Sequence, residues 1–171
     1  MRDKKKNQAP ANSRTDPNNA DAVIGAIEQA YQEKLRFCDM LEEIADGLPD
    51  RVDRFKCLTV ANALSPLLAG VHQFEEEVVF PTYSARTGGS DSAASLRRLS
   101  TEHVADECFA DELTEVLLAI GHGAPVKNPE TIGFMLRGFF ESVRRHIAFE
   151  REHILPVIAG RKPRAGSAPA A

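Results

Sequence analysis

His72-Gln73-Phe74-Glu75-Glu76 and His146-Ile147-Ala148-Phe149-Glu150 are two copies of one pattern, a glutamate four residues after a histidine. Each copy runs through an apolar stretch to a proline, Pro81 or Pro156. Positions four apart on a helix lie on one face, about 6 Å apart along the axis. An imidazole and a carboxylate so placed can bind one metal ion or reach two neighbouring ones. Two such helices facing each other make a cage, and His103 lies between them in sequence on a further helical pattern.

Working outward, the apolar periodicity predicts four long helices. The first spans about 21–47, with Ile24, Ile27, Tyr31, Leu35, Cys38, Leu41, Ala45 and Leu48 on its stripe, and Gly47 and Pro49 at its end. The second spans about 52–84, with Leu64, Leu67, Val71, Phe74 and Val78 apolar and a kink or last turn at Pro81. Thr87-Gly88-Gly89-Ser90 reads as a turn. The third spans about 92–120, with Leu99, His103, Asp106, Ala110, Leu113, Leu117 and Ile120 on one side. Asn128-Pro129 then reads as an N-cap and a first-turn proline. The fourth runs to about 158, carrying Phe139, Val143, His146, Glu150, Ile154 and Val157. With no alternating strand pattern and short loops, the expected fold is all-α, an up-down-up-down four-helix bundle over 20–160. Residues 1–19 and 161–171 are polar or Pro/Gly/Ser/Ala-rich and read as disordered tails.

Composition narrows the function classes. The 171 residues are 43% hydrophobic and 27% charged, with a net charge of −4, so no broad nucleic-acid footprint is expected. No apolar run approaches the roughly 18 residues of a membrane span, and the basic start at Arg2–Lys6 has no apolar segment after it. Cys38, Cys57 and Cys108 are far apart and fall in helical patterns, so buried free thiols and a cytoplasmic location are expected.

The inward stripes carry residues that are costly to bury: His72 and Glu76 on the second helix, His103 and Asp106 on the third, His146 and Glu150 on the fourth. Lys34 is the one basic residue near the middle of these stripes. A metal ion is the economical counter-charge. One His-x3-Glu pair is common on solvated helix faces; two, joined by a third stripe histidine, favour metal binding. His122, in a glycine-rich loop, reads as exposed, and His153 as a residue of the core rim.

The stretches HQFEEEVVFP (72–81), TEHVADECFADEL (101–113) and HIAFEREHILP (146–156) resemble the hemerythrin-like HHE cation-binding domain family, over about residues 21–160. That family places a histidine on helix 1, H-x-x-x-E on helix 2, a histidine on helix 3 and H-x-x-x-E on helix 4. The resemblance implies metal ligands at His72, Glu76, His103, His146 and Glu150, with Glu76 and Glu150 bridging two irons and Glu107 joining the helix 3/4 side. It implies a non-haem di-iron cofactor; the donor types suit zinc and manganese as well. No histidine precedes His72 here. Tyr31, Glu33, Glu28 or water are the alternatives on helix 1, and Tyr31 is equally readable as plain core. More oxygen donors harden a site and favour the ferric state, so oxidant chemistry or metal holding is expected over reversible O2 carriage. The function implied is binding or sensing of O2, NO or peroxide, or iron handling, with ligand access past Phe74, Phe139 and Phe140. A di-iron oxidase or peroxidase, and a metal-free bundle acting as an interaction module, are the other classes. Oligomeric state stays open.

Overall fold

Inward positions on the first helix step by four and three: Ile27, Tyr31, Lys34, Cys38, Leu41 and Ala45 are all buried. Such spacing keeps one seam facing a partner helix. A computed structural model of the protein describes residues 17–88 and 90–161. Six α-helices form among them: α1 (Pro17–Gly47), α2 (Arg54–Phe74), α3 (Phe80–Thr87), α4 (Ser90–Gly121), α5 (Pro129–His153) and α6 (Leu155–Ile158). A π-helical turn, Glu75–Val79, joins α2 to α3. The four long arms make the expected all-α bundle. α1 packs on α2 and α5, and α4 packs on the same two, while α6 closes one end against α3 and α5.

Pairs across the helices show them antiparallel. Arg137, Arg144 and Arg151, seven residues apart on α5, bond Asp46, Asp39 with Glu42, and Glu28 on α1 at 2.6–2.7 Å. Arg144 is half-buried in this ladder and lies 4.8 Å over the Phe140 ring. Partly exposed pairs are worth about 0–1 kcal/mol each, so the ladder sets register more than it adds stability. That register brings Tyr31 opposite Glu150.

Both expected proline sites break a helix in distinct ways. Pro81 lacks an N–H and its ring would press on the carbonyl four residues back. The backbone widens just before it, and the Phe80 N–H reaches back five residues to the Glu75 carbonyl. Pro156 interrupts the fourth arm, ending α5 at His153 and starting the short α6. Asn128 is the N-cap of α5 and Pro129 opens its first turn, as expected, but Asn128 sits in the left-handed region, φ 54°, and its side chain makes no capping bond. Asp53 does cap α2, accepting from the Lys56 N–H at 3.0 Å. α1 begins at Pro17, inside the segment read as tail; residues 1–16 and 162–171 lie outside the described residues. Cys38 and Cys57 are buried free thiols, but Cys108 is exposed, because it lies off the Leu99–His103–Asp106–Ala110 stripe. Among the described residues, no helix is long and apolar enough to cross a membrane.

Candidate metal centre

Four buried side chains converge from three arms of the bundle: Glu75, His103, His146 and Glu150. One donor atom of each lies within 4.8 Å of the others. His72 stands beside them, its ring parallel to that of His103 (2° apart) with centroids at 4.0 Å. Each of the three histidines here has its Nδ1 toward a carboxylate on the rim. His72 Nδ1 is 2.8 Å from Glu107, His103 Nδ1 is 2.9 Å from Glu76, and His146 Nδ1 is 3.6 Å from Glu102. The first two are hydrogen bonds that fix their rings, and all three leave Nε2 for the interior, an arrangement that raises imidazole basicity toward a metal.

The interior is left unsatisfied. His72 Nε2, His103 Nε2, His146 Nε2, both Glu75 oxygens and Glu150 Oε1 are buried with no hydrogen-bond partner. His103 Nε2 does lie 3.0 Å from Glu75 Oε2, at an angle that makes no hydrogen bond. Each orphaned polar group costs about 1–3 kcal/mol, more where charged. Six such atoms in one buried region call for a cation: neutral imidazole nitrogens and carboxylate oxygens are donors for iron, zinc and manganese alike.

Electrostatics divide the histidines. Burial, helped by the Lys34, His103 and His146 charges, pushes His72 down to about 2, leaving it a neutral donor. Burial also acts to lower His103, but the adjacent Glu75 and Glu76 carboxylates outweigh it and raise it. Burial acts to raise Glu150, yet His146 and the Tyr31 hydroxyl hold it below the usual carboxylate range. Burial raises Asp106, one turn beyond His103, and Tyr31 is raised strongly by burial and then by Glu150.

The residues singled out in the sequence fall in different places. His72, His103, His146 and Glu150 come together in the interior. Glu76 does not: it is 45% exposed on the rim, and Glu75, fully buried, takes the inward position. Three residues after a histidine share its face as well as four do, and the buried spacing Ala61, Leu64, Leu68, Val71, Glu75 selects the former. Glu107 is likewise on the rim, 42% exposed. Tyr31 is buried and donates to Glu150 Oε2 at 2.7 Å. Glu28 pairs with Arg151 and Glu33 with Arg36, both away from the centre. Lys34, by contrast, is buried to 2% exposure with its amine 3.9 Å from Glu75 Oε1. His122 is exposed, and His153 is half-buried against Phe149. Phe139 and Phe140 are core, Phe139 beside Lys34 in a pocket of about 10 Å³; a cavity of about 420 Å³ instead borders His146, with Arg98, Ser142, Arg145 and Phe149.

This chain belongs to the hemerythrin HHE cation binding domain family, which it matches over residues 24–158. With the bundle and the His/Glu cluster, that makes it a metal-binding protein of the hemerythrin type. No curated protein and no solved structure gives a significant match.

Proposed function

We propose that the bundle holds non-haem iron and uses it to bind or sense a small oxidant of the O2, NO or peroxide class. The observation that carries this is the set of inward, unpartnered atoms: three Nε2 nitrogens and three carboxylate oxygens, with the Nδ1 atoms engaged on the rim. His103, His146, Glu75 and Glu150 are the residues proposed to hold the metal. Bound iron would supply a redox-active Lewis acid. The protein supplies orientation and exclusion. Glu76 and Glu107 keep the His103 and His72 rings in place, Tyr31 fixes Glu150, and Phe80 stacks over His103 at 5.6 Å. The cavity bordering His146 brings a diatomic molecule or peroxide to the edge of the centre, which favours ligand binding over sealed metal storage. Three cysteines without a disulfide support a reducing, cytoplasmic setting.

Elemental analysis of the purified protein, joined to an optical spectrum before and after NO or O2 is added to the ferrous form, tests the reading. Bound iron and a ligand-induced spectral change are expected. Protein that takes up no iron on reconstitution, or whose ferrous spectrum ignores every one of these ligands, overturns it.

A further inference from the structure

The centre has two poles, and the chain itself supplies a cation to one of them. The His72 and His103 rings are parallel within 2°, at 4.0 Å. The lone pairs of two stacked parallel rings lie in separate parallel planes, so the two Nε2 atoms cannot both meet one ion squarely. Around the point served by His103 stand Glu75, His146 and Glu150. Beyond Glu75 the approaching group is the amine of Lys34, which α1 delivers from a fully buried position and whose charge helps keep His72 neutral. Glu75 lies between them: Oε2 is 3.0 Å from His103 Nε2, and Oε1 is 3.9 Å from Lys34 Nζ. A carboxylate with one oxygen toward each pole is how a protein bridges two cations. Here one of the two is an ammonium group.

Charge points the same way. The buried carboxylates at the centre are Glu75 and Glu150, with Asp106 one turn from His103. A single divalent ion and the ammonium already balance all three. A second ion would add like charge a few ångströms from Lys34, in a setting where uncompensated charge is expensive.

We propose that this chain binds a single metal ion, held by Glu75, His103, His146 and Glu150, and that Lys34 stands in for a second ion beside His72. The proposal rests on the metal-binding reading above and adds to it the number of ions and the part played by Lys34.

Anaerobic titration of the full chain with Co(II), and separately with Fe(II) followed by oxidation, is the test. Saturation at one ion per chain is expected, with the electron paramagnetic resonance signal of an isolated high-spin ferric ion. Lys34→His puts a neutral donor where the ammonium was. It is expected to admit a second ion and to quench that signal as two ferric ions couple. Lys34→Gln, which keeps most of the stem and removes the charge, is expected to exceed one ion at excess metal. Circular dichroism checks that each variant folds, and the wild-type ratio decides even if one does not. Two coupled ions in the wild type overturn the proposal. So does a ratio that stays at one in both Lys34 variants. Failure to bind any metal overturns the metal-binding reading itself and is a distinct outcome.

Discussion

The α4/α5 side of the centre and its α1/α2 side differ in kind. On the first, His103, His146 and Glu150 bring donor atoms together, and α2 adds Glu75 to complete the group. On the second, a buried lysine approaches Glu75, and Tyr31 spends its hydroxyl on Glu150, across the bundle. Both sides are equally buried. Burial alone therefore does not make a metal site. What separates them is whether the buried polar atoms are all acceptors, which need a cation, or include a cation already.

Truncation should break this asymmetry most visibly. His146→Ala or Glu150→Ala is expected to weaken Co(II) binding by roughly 100-fold or more, whereas His72→Ala should cost less than ~10-fold. Equal losses on the two sides, measured by competition with a chelator, would remove the distinction between poles. A finer contrast separates neighbours on α2 and the π turn. Glu75→Gln should cost roughly 100-fold in affinity, and Glu76→Gln only about 10-fold, since Glu76 reaches the metal through the His103 ring. The reverse order would return the inward position to Glu76.

Tyr31→Phe sharpens the comparison through the metal-free protein. It deletes the donor to Glu150 and is expected to lower stability by about 1.5–3 kcal/mol in urea unfolding, the range for a hydrogen bond to a charged group. A neutral result would mean that the phenol is packing only. The smallest effect expected is a slope. His72 is pushed down to about 2 in the folded chain, against an ordinary value near 6.5, so below that pH the unfolded chain takes up a proton that the folded chain refuses. Metal-free stability should fall with pH below about 6.5, by up to ~1.4 kcal/mol per unit from this group. His72→Gln should flatten the decline between about pH 6 and 4 by up to that amount; parallel curves would show His72 protonated in the fold.

The bundle was legible because its helices keep strict periodicity. Every residue read onto the third stripe, from Leu99 to Ile120, is buried. The centre was legible in its histidines and in Glu150, since only one register puts them inward. Two errors arose at positions where a familiar spacing hid the geometry. The His-x3-Glu match drew Glu76 into the interior, although Glu75 shares that face and fits the four-three steps better. On α1, Leu35 was given an inward position that belongs to Lys34. The steps from Tyr31 to Cys38 pass through position 34, and a lysine there was the signal. The cavity at His146 was not legible, because it depends on how α4 and α5 splay and not on either stripe.

The π turn makes the second arm two helices spliced out of phase. Up to Glu75 the buried spacing obeys one phase; from Val79 and Phe80 onward it obeys another. The extra residue is what lets Glu75 point at the ion while Phe80, five positions on, swings back to cover the same His103 ring. A chain shortened by one residue between Glu76 and Val79 could close into a continuous α-helix, turning everything beyond by about 100°. The carboxylate would stay and its aromatic roof would rotate away, opening to water a centre whose remaining walls were untouched.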